Sequence, residues 1–136
     1  MAEVLVRLYL MTGKDVYRDR AERLFAVFIA EDARGNLHHP TLLIAWELLT
    51  RGTQIVVVGA PGEAAADALM KTALTTPNRL SVATRVDPSM PLPDGHAAAG
   101  KGLVDGKAAA YVCVGPTCGL PVTDPAALAD ALGARA

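Results

Sequence analysis

The sequence predicts an α/β fold in two parts: a helical arm of three helices over residues 1–52 and a small α/β unit over residues 53–136. Three observations predict it. Apolar residues recur at helical spacing up to about residue 50. Gln54-Ile55-Val56-Val57-Val58-Gly59 is then a continuous β-branched run, as in a strand buried on both faces. From there strand and helix patterns alternate, which is the signature of a sheet with helices packed on it.

In the arm, Val4, Leu5, Leu8 and Met11 share one helical face. Thr12-Gly13 ends that helix, and Gly13 suits the left-handed position beyond it. Asp15 is placed to cap a second helix whose apolar face is Val16, Ala21, Leu24, Phe25 and Phe28. The polar stretch 31–36 connects it to a third helix, which opens at Pro40, where the missing N–H costs nothing, and stops at Gly52. In the α/β unit the first strand, 54–59, is expected at the centre of the sheet. A helix over 62–75 should face inward with Ala65, Leu69, Thr72 and Ala73, and a strand over 80–86 follows. Strand, helix and strand over so short a length form a βαβ unit. Residues 87–107 hold three prolines before Gly95 and cannot form a central strand or a helix interior. A loop of that length usually serves a contact. The third strand is 109–114. Asp124 caps the last helix, 124–133, with Pro125 at its first position and Ala127, Leu128, Ala131 and Leu132 inward. The unit should therefore be Rossmann-like: a mostly parallel three-stranded sheet with flanking helices.

Composition narrows the function. The chain has 136 residues, 51% hydrophobic and 20% charged, which is globular and long enough for its own core. Thirteen basic and fourteen acidic residues give a net charge of −1, with no basic block to follow phosphates, so nucleic acid is not expected as a partner. No apolar run reaches the roughly eighteen residues of a membrane span. Glu3 and Arg7 interrupt any leader-like stretch, so the expectation is cytoplasmic. In that compartment two cysteines stay reduced unless they are catalytic or redox-sensing.

Two places carry candidate chemistry. Cys113 and Cys118 flank a tight turn at Gly115-Pro116. One reading makes them a redox pair; closing so short a loop would stabilise by only roughly 2 kcal/mol. The other buries Cys113 as a small hydrophobe and leaves Cys118 as a free thiol, and this second reading is the expectation. Gly59-Ala60-Pro61-Gly62 lies between a strand and a helix, where a dinucleotide fold puts its phosphate loop, and Asp87 ends the next strand, where a ribose-binding acid would sit. Against this, the glycine pattern is incomplete and Pro61 removes an amide. His38 and His39 read as a helix cap or as solvated loop residues. Zinc needs more donors than the two cysteines and three scattered histidines offer. No metal and no cofactor are expected.

The segment Ala110-Tyr111-Val112-Cys113, with Cys118, Pro121 and Asp124-Pro125, resembles the closing part of the thioredoxin-domain-containing proteins related to spermatogenesis-associated protein 20. Gln54-Ile55-Val56-Val57-Val58-Gly59 is similar to the start of the same tail. Leu8-Tyr9-Leu10-Met11-Thr12-Gly13, with Tyr17, Arg20, Ala21 and Leu24, looks like a helix pair of that family's toroid. The resemblance implies three parts in a full member: a thioredoxin-like domain, a toroid of paired helices and a small α/β tail, of which this chain would be the end. The family's Cys-x-x-Cys motif has no counterpart here, so no site is carried over. Two functions are then expected to compete. One is a non-catalytic accessory domain that packs against a helical toroid or a second copy. The other is a thiol-redox or nucleotide-linked enzyme using Cys113 and Cys118 or the crevice near Gly59. Cut from a ring, the arm should expose Leu24, Phe25, Phe28, Leu43 and Trp46 and form a homodimer or a higher closed oligomer.

Overall fold

The structure, a computed structural model, describes residues 1–32, 40–93 and 95–134. The described residues form a mixed α/β protein with five helices and one four-stranded mixed sheet. Helices α1 (Ala2–Thr12), α2 (Asp15–Asp32) and α3 (Pro40–Arg51) precede strand β1 (Thr53–Val58). Then come α4 (Ala64–Thr75), β2 (Ser81–Val86), β3 (Ala109–Val114), β4 (Thr117–Cys118) and α5 (Pro125–Gly133). His38 and His39 lie outside the described residues.

The strand order is β2-β1-β3-β4. β1 is interior, as its unbroken apolar run requires, and its buried residues include Ile55, Val56, Val57 and Val58. β1 and β2 run parallel with α4 between them, the expected βαβ unit. The sheet is not mostly parallel, however. β3 pairs with β1 antiparallel, and β4 adds a fourth, antiparallel strand. The reason lies in residues 87–108. A parallel third strand needs a crossover that returns the chain to the far end of the sheet. Here Val58 pairs with Val86 on one side and Ala109 on the other, so the connection begins and ends at the same end.

Register assigns the faces. Ile55, Val57, Ala110 and Val112 form one side with Ala66, Leu69 and Ala73 of α4 and Leu128 and Leu132 of α5. Asp124 accepts a hydrogen bond from the Ala127 N–H at 2.8 Å, and Pro125 opens α5, as the sequence indicates. In α4, Leu69 and Ala73 face inward as expected, but Ala66 joins them in place of Ala65, which is exposed; in α5 Ala127 is exposed. On the opposite side Val56 and Val58 pack with Val86, Ala98, Leu92 and Tyr111, so Leu92, Ala97 and Ala98 of the segment after β2 act as a cover. Val82 joins the arm's own core of Val6, Leu10, Ala21, Phe25, Ala45 and Leu48.

In the arm, α1 ends at Gly13 in the left-handed conformation, as expected (φ 67°). Its buried face is Ala2, Val6 and Leu10, rather than Val4 and Met11, which are exposed. Apolar residues occupy so many positions of this helix that periodicity alone does not choose a face; the packing of α2 and α3 does. Asp15 is the first residue of α2, where its charge favours the helix N-terminus. Among the described residues, no helix is long and apolar enough to cross a membrane.

Candidate functional site

The turn after β1 is closed by the chain's own groups. Gly59 donates its N–H to Val86 O at 3.0 Å, extending the parallel ladder. A Cβ at Gly59 would stand 2.6 Å from the Ala66 Cβ and 3.0 Å from the Ala108 Cβ, so glycine is needed there for close helix–strand packing. The Glu63 carboxylate accepts from the Ala60 N–H at 3.1 Å and from the Ala108 N–H at 3.3 Å. It stands against the Ala60 amide, a donor of the kind a phosphate would use. Arg85 donates to the carbonyls of Gly59 and Ala60 and pairs with Asp67. Asp87 folds onto its own loop, its Oδ1 accepting from the Ser89 N–H at 2.8 Å and the Ser89 hydroxyl at 2.7 Å. The side-chain bond from Ser89, then its backbone bond, hold the Asp87 carboxyl below the ordinary value. Gly59 and Asp87 share a shallow pocket of about 570 Å³ with Met11, Met70 and Met90, whereas Gly62 is a turn residue (φ 80°) and does not line it.

The cysteines are not free. Cys113 and Cys118 stand directly opposite each other across β3 and β4, with Cα atoms 3.9 Å apart, and are joined by a disulfide. The Gly119 N–H donates to Val112 O at 2.9 Å, which makes them a non-hydrogen-bonded pair, the kind in which facing side chains come closest. The expectation of a buried thiol and a free one is therefore corrected: neither cysteine is a thiol, and only the burial of Cys113 stands. Cys113 is buried, at 1% exposure, and Cys118 is half-buried. Their meeting follows from the loop. Val114 pairs with Thr117, leaving Gly115 and Pro116 as a two-residue connection with Gly115 at φ 54°. In such a hairpin a Cys-x-x-x-x-Cys spacing puts the two cysteines opposite each other, a signal present in the sequence.

The disulfide lines a cleft of about 700 Å³ between the arm and the sheet. Gln54 and Cys113 line its sheet side; Tyr9 and Trp46 line it from the arm, and His96 and Lys101 from the covering segment. Gln54 donates through Nε2 to Leu10 O at 3.0 Å, tying β1 to α1. His96 is buried. Its Nδ1 accepts from the Ala98 N–H at 3.0 Å, so the ring proton sits on Nε2 and is donated to Met11 O at 2.9 Å. Lys101 donates to Ala97 O and lies 5.8 Å from the Tyr111 ring centroid, while the Tyr111 hydroxyl donates to Gly102 O at 2.8 Å. On the rim Arg18 bonds Glu22 at 2.8 Å and stands 5.8 Å from the Tyr9 ring. The hydrogen bond and charge of Glu22, with Tyr9 behind them, raise the guanidinium pKa further. Sequence reasoning missed this cleft; the available signals were Gln54, a polar residue opening an apolar strand, and His96 in a proline-rich segment.

The expected interface residues divide. Phe25 is core, at 1% exposure, because α2 turns it toward Val6, Ala45 and Leu48; the edge of one ring of the Phe25–Trp46 pair meets the face of the other at 5.3 Å. Leu24 and Phe28 are half-buried and line a groove with Leu42. Leu43 and Trp46 are exposed, at 52% and 41%. Among the described residues no cluster of three or more His, Cys, Asp or Glu side chains is arranged to hold a metal ion. No protein-family model, curated protein or solved structure matches this chain.

Proposed function

We propose that this chain is a non-catalytic accessory domain that works by docking its helical arm against another helical surface. The observation that carries the reading is on α3, where Leu43 and Trp46, three residues apart and so on one face, remain exposed. Val27 of α2, at 59% exposure, adds to the arm's uncovered apolar area. The partner is a second copy of the chain, or the remaining toroid helices and thioredoxin-like part of a longer protein of the family named above. The Rossmann-like character belongs to this reading too, confined to β1, α4 and β2, and so does a cytoplasmic setting. Light scattering at micromolar concentration tests it. The expected result is a homodimer or a higher closed oligomer that Leu43→Glu with Trp46→Glu dissociates. Leu24→Glu with Phe28→Glu should also dissociate it if the groove they line belongs to the interface. A monodisperse monomer would remove the second-copy form of the proposal and leave the longer protein as the partner.

A further inference from the structure

We infer that the Cys113–Cys118 disulfide is a thiol–disulfide exchange site, reached through the cleft and attacked at Cys118 by thiol compounds. Three observations carry this. First, the hairpin register does not depend on the bond. It spans a two-residue turn whose register is already set by Gly115 at positive φ and by the Val114–Thr117 pair. Closing so short a loop stabilises less than bridging distant segments does.

Second, access is unequal. Cys113 is buried at 1% exposure, while Cys118 lies half-buried on a two-residue edge strand. A nucleophile must reach the sulfur it attacks. Cys118 Sγ is therefore the electrophile and Cys113 Sγ the leaving group. Third, the disulfide opens into a cleft large enough for a small ligand, which also holds the Lys101 ammonium, the Arg18–Glu22 ion pair and the rings of Trp46 and Tyr9. A cation in the cleft, here Lys101, favours the thiolate form of a sulfur that enters it.

The exchange balances as follows. An external thiolate attacks Cys118 Sγ, a sulfur–sulfur bond forms between them, and the Cys113–Cys118 bond breaks. Its electron pair goes to Cys113 Sγ, which takes up a proton. A second external thiol then attacks the external sulfur of the mixed disulfide and releases Cys118. Two thiols become one external disulfide, and the protein gains two electrons and two protons. The backbone register keeps the reduced cysteines opposite each other, so the bond re-forms between the same two sulfurs when an oxidised disulfide is supplied.

The test uses the whole chain and glutathione. The folded protein is equilibrated with mixtures of reduced and oxidised glutathione, its thiols are counted by mass after alkylation, and its fold is followed by circular dichroism. The expected result is a reversible two-electron titration with the fold retained. The single variants Cys113→Ala and Cys118→Ala are then exposed to oxidised glutathione. The thiol left in Cys113→Ala should form the mixed disulfide more than roughly tenfold faster than the one left in Cys118→Ala. A disulfide that is reduced only when the protein unfolds would overturn the inference. Equal rates in the two variants would overturn the assignment of the attacked sulfur. The titration of the unmutated chain stands whether or not either variant folds.

Discussion

Along β1 the side chains alternate between two sides, and the two sides are closed in different ways. Ile55 and Val57 meet α4 and α5, and the result is one continuous core of leucine, valine and alanine. Gln54, Val56 and Val58 meet a cover assembled from two sources: the arm, which takes Val82, and Leu92, Ala97 and Ala98 of the covering segment, which take Val56, Val58 and Val86. A gap remains between those two covers. It holds a glutamine, a histidine, a lysine and the disulfide. Where one pair of adjacent helices covers a sheet, the seam is apolar and closes. Where two unrelated segments share the task, the seam is polar and stays open, and the chemistry collects there.

The comparison can be tested by substitution. On the closed side, Leu69→Ala should cost about 2–5 kcal/mol in denaturant unfolding, since Leu69 is fully buried between helix and sheet. A loss well under 1 kcal/mol would mean that this side is not one core. On the open side the disulfide comes next. Cys118→Ala and Cys113→Ala should each cost about 2 kcal/mol relative to the oxidised protein and much less relative to the reduced one. Unequal losses would show that burial of Cys113, not the bond, dominates. Gln54→Ala removes the amide that donates to Leu10 O, and about 0.5–1.5 kcal/mol should follow. The amide of Val82, which contacts the arm, should then exchange faster while that of Ile55 stays protected. Equal acceleration at both would erase the distinction between the two sides.

The smallest effect lies where the covering segment begins. Because the Asp87 carboxyl titrates below its ordinary range, its contribution favours the folded state above that range and is lost as pH falls through the lowered value. Ser89→Ala should return the carboxyl toward its ordinary titration, read by nuclear magnetic resonance. An unchanged midpoint would assign the shift to something other than Ser89.

Some of this was legible in advance. β1, β3 and the cap of α5 follow from local pattern: an unbroken β-branched run, a short apolar stretch before a turn, and Asp-Pro before alanine and leucine. The direction of β3 was not, although the sequence held the reason, because the described residues between β2 and β3 contain no helix to carry a crossover. Burial in α1 was misassigned because Val4, Leu5, Val6, Leu8, Leu10 and Met11 are all apolar, and only tertiary neighbours choose among them. The cleft was invisible for a related reason. His96, Gln54 and Trp46 lie far apart in the chain, and what joins them is the docking of three elements, which no local spacing encodes. At the turn after β1, the glycine pattern is incomplete, and the carboxylate that meets the Ala60 amide is the chain's own Glu63.

The antiparallel direction of β3 also separates two kinds of constraint along the chain. Because Val86 and Ala109 flank Val58, the ends of the covering segment are only two strand spacings apart, about 10 Å. Its length is thus independent of the sheet's geometry. Residues can be inserted or removed between Asp87 and Ala108 without shifting the β1–β3 register, provided the contacts to Val56 and Val58 survive. His96 and Lys101 both ride on this segment. One wall of the cleft can therefore be remodelled by grafting, as an antibody's loops are exchanged on a constant scaffold, while the disulfide and the sheet beneath it stay in place.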